Sequence, residues 1–353
     1  MESVIWFLLL SFNFEPPYFK ELADVDRIYV LGRFGAAYIL LVLLIMKCRS
    51  YRPGKFALSI LVLESSLFFS TFYNNSYSML TLHYEILVYG NLVTVFLFPE
   101  GMYNLGTGRS YWLLGQVNQI ILYVLPAMIL ELLYNRYVKK KRYPRIRTWM
   151  LITTGIVTAV VVWSATALVG IAVFVGIVLI GYTAGICVDL KYGILASVII
   201  FAAFVIFRVQ DIFAYFIVDI LHRNLTFSTR TEVWDRALVC IQQKMILGYG
   251  AETSEQAVKH FGYLTPHNRY LYLWYQGGIV MLGMFGSVLL KGAKTLRSAA
   301  GSEAAIYTGA GLFALLVMMQ FESYDATVFY VPLALMFYSA GLAAEEKGDV
   351  LKA

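Results

Sequence analysis

The sequence predicts an all-α, polytopic integral membrane protein, and three observations carry that reading. Of its 353 residues, 59% are hydrophobic and only 14% charged, with a mean hydropathy of +0.68, well outside the balance of soluble domains. Apolar runs long enough to span a bilayer, about 20 helical residues, recur from end to end, with no stretch left for a separate soluble domain. Lys and Arg gather in short segments between those runs, as topology signals do. The net charge of +6 therefore reads as membrane orientation, not as a nucleic-acid surface. An outer-membrane barrel would alternate in segments of about ten residues, whereas Ile194 to Phe207 and Val280 to Leu290 are apolar on every face. The chain is read as one integral domain, residues 1–353.

Spanning helices are expected near residues 28–46, 56–72, 79–98, 112–134, 149–163, 167–184, 192–210, 269–290, 304–320 and 327–343, about ten in all, with the first dozen residues a candidate eleventh. Met1 to Ser11 carries Glu2 and lacks a basic start or a small-residue cleavage site, so it is not read as a cleaved signal peptide. The run from Trp149 to Tyr182 is too long for one span, and Trp163-Ser164-Ala165-Thr166 offers a polar break for a tight hairpin. Cys48, Cys187 and Cys240 lie far apart without CxxC spacing, which indicates neither a disulfide framework nor a metal site.

Basic loops give the orientation. Arg136, Lys139, Lys140, Lys141, Arg142, Arg145 and Arg147 mark a cytoplasmic loop. Counting forward, the turn at Ser164 is outside, 188–191 inside, and a long segment, residues 211–268, outside; Lys291, Lys294 and Arg297 then fall inside, as the rule requires. Counting backward, ten strictly alternating helices would put Lys47, Arg49, Arg52 and Lys55 outside. The favoured resolution is that 56–98 does not cross twice, because Glu64, His83 and Glu85 make poor lipid-facing residues.

The external loop is where chemistry is expected. It holds three of the four histidines, His222, His260 and His267. Thr229-Arg230-Thr231-Glu232 has the spacing of a capping box. Val233, Trp234, Ala237, Leu238, Ile241 and Met245 follow at three-and-four spacing, giving an amphipathic helix on the membrane that ends at Gly248-Tyr249-Gly250. Arg230 in its first turn, beside free backbone N–H groups, suits a phosphate; it would equally bind lipid headgroups or pair with Glu232. Pro266 suits the first helical position before the next span, which leaves His267 in the first turn, where a neutral imidazole could serve as a base. The plainer alternative is an interfacial histidine without chemistry.

Arg230-Thr231-Glu232-Val233-Trp234, Gly248-Tyr249-Gly250, and His267-Asn268 ahead of Gly277-Gly278 resemble, in this order, the O-antigen polymerase and ligase family. Upstream, 91–94, Phe98-Pro99-Glu100-Gly101 and Leu114-Gly115-Gln116-Val117-Asn118 resemble its capsular and exopolysaccharide polymerases, so the likeness covers roughly residues 90–330.

The resemblance implies a GT-C-like fold in the bacterial cytoplasmic membrane with its active loop on the periplasmic side. It also implies metal-independent, cofactor-free glycosyl transfer between polyprenyl-diphosphate-linked oligosaccharides. In that chemistry Arg230 would meet the leaving diphosphate and His267 would assist the acceptor hydroxyl as a base. Arg208, Arg223, Arg236 and Arg269 are unranked candidates for a second phosphate-binding arginine. Asn268 could orient His267, hold an acceptor sugar or cap the helix, and Trp234 could stack on sugar. Arg109 reads better as snorkelling than as a diphosphate ligand. Glu322 and Asp325 could assist catalysis or form a solvated turn, and Asp211 and Asp219 read as surface residues. Membrane lipids are implied partners, with a flippase and a chain-length regulator as candidates, and no nucleic acid. Two alternatives remain: a ligase passing finished glycan to another envelope acceptor, and a lipid-linked oligosaccharide flippase. A transporter would place charge at the midplane and show internal repeats, whereas here charge gathers in the outer loop.

Overall fold

The computed structural model describes residues 18, 19, 25, 28, 29, 32 and 77–352, apart from 104–109, 142, 186–187, 210–229, 251, 253 and 325–329. The expected spans near 28–46 and 56–72, the basic loop from Lys47 to Lys55, Cys48, Cys187, Arg109, Asp211, Asp219, His222, Arg223, Thr229 and Asp325 lie wholly or largely outside the described residues. The rest is helical apart from one short hairpin: α1 Tyr77–Leu97, β1 Tyr111–Trp112, β2 Gly115–Gln116, α2 Ile121–Leu133, α3 Ile146–Val161, α4 Ala165–Ala184, α5 Leu190–Phe201, α6 Arg230–Gln243, α7 Ser254–Phe261, α8 Arg269–Ser298, α9 Glu303–Met318 and α10 Tyr330–Lys352. Turns of π-helix extend α2 over Tyr134–Val138 and α5 over Ala202–Ile206.

The protein is a helical membrane protein. Among the described residues three helical segments are long and apolar enough to cross a bilayer, Ile121–Val138, Ala165–Ala184 and Arg269–Ser298, and the other apolar helices are shorter. The break expected at Ser164 is present, with α3 ending at Val161 and α4 starting at Ala165. The span expected over 112–134 begins later, at Ile121. Gly115, at φ 93°, turns the chain so that β1 and β2 pair instead of continuing a helix.

Two compact units form. The first comprises Met1–Ser164, Ser302–Thr308 and Ala326–Ala353; the second comprises Ala165–Gly301 and Gly309–Asp325. In the first unit the three upstream segments become one local structure. Asn91 Oδ1 accepts from the Leu114 amide at 2.9 Å, Trp112 Nε1 donates to the Phe98 carbonyl at 2.9 Å, and Ser110 Oγ donates to the Glu100 carbonyl at 2.6 Å. Buried Glu85 and Glu131 share Arg147, and Arg136 pairs with Glu303 at 3.1 Å. These contacts join the basic loop to its helices, and unpaired carboxylates at these positions would be costly.

The second unit places its two charged clusters at opposite ends of α5 and α8. At one end Asp189 caps α5 through the Lys191 amide (3.0 Å) and accepts from Arg297 Nε at 2.9 Å, so the two basic segments assigned to one side of the membrane do meet. At the other end α6 and α7 pack on the N-terminal part of α8 through Val233, Trp234, Ala237, Ile241, Ala257, Phe261, Leu271 and Tyr275, all buried.

α8 is not continuous. Gly278 takes φ 65°, ψ −167°, and the chain beyond α6 docks against this break. Tyr249 and Gly250 amides donate to the Tyr275 and Gln276 carbonyls at 2.9 and 2.8 Å, while the Ile279 and Val280 amides donate to the Met245 and Ile246 carbonyls at 2.9 and 3.4 Å. A Cβ on Gly278 would sit 1.9 Å from the Ile246 carbonyl oxygen, and one on Gly248 would sit 2.4 Å from that of Tyr275. Gly278→Ala adds a backbone clash to the strain of a positive-φ, extended-ψ conformation essentially reserved for glycine, of order 1–3 kcal/mol. It should therefore leave little monodisperse protein by size-exclusion chromatography in detergent. Gly283→Ala, whose Cβ would meet nothing within 4 Å, is the control; equal recovery of the two would refute the close approach.

Candidate active site

The cluster is built from the ends of elements in the second unit. α6 begins at Arg230, which is half-buried against the segment following α9. Its guanidinium donates through Nη2 to Glu322 Oε1, a partner far away in sequence, rather than to Glu232 in its own first turn. The same carboxylate faces His267: Oε2 lies 3.8 Å from Nδ1, within ion-pair reach but too long for a hydrogen bond. Glu322 thus sits between the two residues singled out as catalytic. Its side chain is 11% exposed, against 18% for Arg230 and 23% for His267, so the group is enclosed yet open at the histidine.

The electrostatics follow from that placement. Burial pushes the Glu322 carboxyl up, but the Arg230 guanidinium and the His267 imidazole outweigh it and hold it below the usual carboxylate range. Because the value is depressed, the stabilisation is present above the ordinary carboxylate pKa of about 4.3 and is lost only as pH falls through the lowered value. Tyr324, 3% exposed, adds a buried hydroxyl with no hydrogen-bond partner among the described residues. Burial, then the Glu322 charge, push this phenol up, with Arg230 opposing.

His267 does not stand in the first turn of α8. The helix starts at Arg269, Asn268 is its N-cap, and His267 precedes the cap at φ 49°. Asn268 is fully buried; its Oδ1 accepts from the Leu271 amide at 3.0 Å and its Nδ2 donates to the Gln320 carbonyl at 2.8 Å. Its own amide donates to Ser323 Oγ at 3.0 Å. These bonds, with the Arg269 amide on the Met319 carbonyl at 2.9 Å, tie the start of α8 to 319–323 and so bring His267 to Glu322. Asn works better here as a cap than Pro266 does as a first helical residue, because its side chain satisfies an orphan amide.

The other candidates separate clearly. Arg208 reaches the start of α6: its Nη2 donates to the Thr231 carbonyl at 3.1 Å and to Asp235, and its guanidinium lies 5.5 Å from the Trp234 ring centroid. Its Nη1 is buried without a hydrogen-bond partner among the described residues. Of the four described non-glycine residues at positive φ, Arg208 and His267 are two, and local strain of this kind gathers at functional sites. Arg236 is exposed and points to the Phe261 carbonyl, at 3.5 Å. Arg269 is buried with its guanidinium 5.9 Å from the Tyr272 ring centroid. Trp234 is completely buried and donates Nε1 to the Pro266 carbonyl at 2.9 Å, which leaves no ring face for a sugar. Sequence reasoning gave Glu322 no precedence over a solvated turn; its one signal was an acid in a short polar segment between the last two helices.

A second cluster supports the loop. Glu252 accepts from the Tyr275 hydroxyl, His260 Nδ1 lies 2.5 Å from that hydroxyl and 3.3 Å from Glu252 Oε1, and Tyr249 stacks on Tyr275 with ring centroids 4.7 Å apart. It fastens the chain after Gly248 to the N-terminal part of α8.

No curated protein and no solved structure matches this chain. Residues 120–286 match the family described as O-antigen ligase, a stretch that contains Arg208, Arg230, His267 and Asn268 and stops short of Glu322. That matched stretch also holds Gly277-Gly278, so the chain carries an O-antigen ligase domain over residues 120–286, consistent with the O-antigen polymerase and ligase family its loop resembles.

Proposed function

We propose that this protein polymerises polyprenyl-diphosphate-linked oligosaccharide repeat units into surface polysaccharide, by metal-independent glycosyl transfer at the outer face of the bacterial cytoplasmic membrane. The observation that carries the reading is the Glu322 carboxylate held between Arg230 and His267.

In this reading an acceptor hydroxyl attacks the anomeric carbon of the donor sugar. The new C–O bond forms as the bond from that carbon to the diphosphate oxygen breaks. The polyprenyl diphosphate leaves with the electron pair and the hydroxyl proton passes to His267. Charge that develops on the leaving group needs fixed positive partners; Arg230 and Arg208, both at the start of α6, supply them together with the amides of its first turn. Arg208, already at the Thr231 carbonyl, is the second arginine this reading selects. Glu322 aligns the histidine through Nδ1, leaving Nε2 for the acceptor, and the 3.8 Å gap closes when substrate binds.

The family's description, O-antigen ligase, favours a second reading in which finished glycan passes to another envelope acceptor. Purified protein given only synthetic diphosphate-lipid repeat units separates them. A ladder of products is expected for polymerisation, whereas transfer seen only after a foreign acceptor is added would establish the ligase. Translocation of the units without any transfer would establish a flippase and sink both.

A further inference from the structure

The segment Met245 to Leu247 carries an observation that the proposed chemistry does not use. Its three side chains are exposed and apolar, Leu247 by 73%, although they follow an amphipathic helix placed outside the bilayer. Their backbone is paired with the break in α8. Beyond that break Ile279, Val280, Met281 and Met284 are likewise exposed on a segment long and apolar enough to cross a membrane. One apolar surface therefore runs unbroken from the loop onto the lipid-facing side of α8.

The depth of the break follows from helix geometry. Lys291, Lys294 and Arg297 mark one membrane surface on α8, and the twelve residues Ile279 to Leu290 between them and the break are uncharged. At 1.5 Å per residue they cover about 18 Å, against a hydrocarbon core of about 30 Å. Gly278 thus lies roughly 12 Å inside the far hydrocarbon boundary, and tilting α8 would carry it deeper.

We propose that residues 245–250 are a re-entrant segment, dipping from the loop into bilayer hydrocarbon against the broken α8, with Met245, Ile246 and Leu247 in contact with lipid acyl chains. Backbone at that depth is tolerated only where protein satisfies its polar groups, and the four inter-segment hydrogen bonds at 2.8–3.4 Å supply partners for the Met245 and Ile246 carbonyls and the Tyr249 and Gly250 amides. Exposed Lys244 on one side and Glu252, held by Tyr275, on the other bound the dip with charge. α6 is then moored in the membrane by its C-terminal end, about 20 Å from Arg230 along the helix axis.

A hydrophobic diazirine dissolved in phosphatidylethanolamine–phosphatidylglycerol vesicles holding the full-length protein tests this after trypsin digestion. Cleavage after Lys244 and Arg269 separates the peptides Met245–Lys259 and Tyr270–Lys291. Adducts on Met245 to Leu247 at a yield within a few-fold of that on Ile279 to Leu290 are the expected result. Labelled Ile279 to Leu290 with unlabelled Met245 to Leu247 would overturn the proposal. Should neither peptide label, a nitroxide on Leu247→Cys decides: relaxation by oxygen above that by a nickel chelate supports the dip, and the reverse overturns it.

Discussion

Arg230→Ala should lower glycosyl transfer by roughly 10²- to 10³-fold, the loss typical of removing one preorganised partner of a developing negative charge. Arg230→Lys should recover little, because an ammonium cannot present two parallel N–H groups to a phosphate while holding a carboxylate. The substitution also strands Glu322, and breaking a buried pair by removing one partner typically costs about 3–5 kcal/mol. Arg230→Ala/Glu322→Ala should therefore yield more folded protein than Arg230→Ala while remaining as inactive. Rates measured on product ladders at matched amounts of folded protein separate the two effects. Recovery of activity in the double variant would mean that Arg230 only neutralises Glu322, and the phosphate role would be lost.

His267→Ala should cost about 10²- to 10⁴-fold through loss of base assistance, with donor lipid still bound. Glu322→Gln keeps the shape but removes the charge that faces Nδ1, and it should fall in the same direction with a smaller loss. If Arg230, Glu322 and His267 act as one unit, Arg230→Ala/His267→Ala should lose far less than the product of the single losses. Donor binding measured on the variants keeps catalysis apart from affinity. Polymer at near wild-type rate from His267→Ala would take the histidine out of the mechanism and leave only the phosphate-binding half of the site.

Class and much of the local structure were legible in the sequence because they depend on periodicity and on short-range rules. Apolar runs announced a helical membrane protein. The spacing of Val233, Trp234, Ala237, Leu238, Ile241 and Met245 announced α6; Val233, Trp234, Ala237 and Ile241 are buried and Leu238 partly so, but the helix ends at Gln243, short of the expected Gly248, and leaves Met245 exposed beyond it. The polar segment at Ser164 announced the break between α3 and α4. Competing local signals were harder to weigh: Pro266 as a first helical residue and Asn268 as a cap point to starts two residues apart, and the hydrogen bonds Asn268 makes decide for the cap.

What only the tertiary structure decided are the contacts between ends of elements. No local pattern joins Arg230 to Glu322, because their meeting depends on how α6, the start of α8 and the segment after α9 are tied through Asn268 and Gln320. Gly248 and Gly277-Gly278 were visible as glycines, but their purpose, a close backbone approach across a broken helix, exists only once both segments are folded. The sequence thus determined a helical membrane chain with an arginine and a histidine in the long segment between two apolar runs. The fold supplied the carboxylate between them, since a buried charge is fixed by the partners that surround it in space and not by its neighbours along the chain.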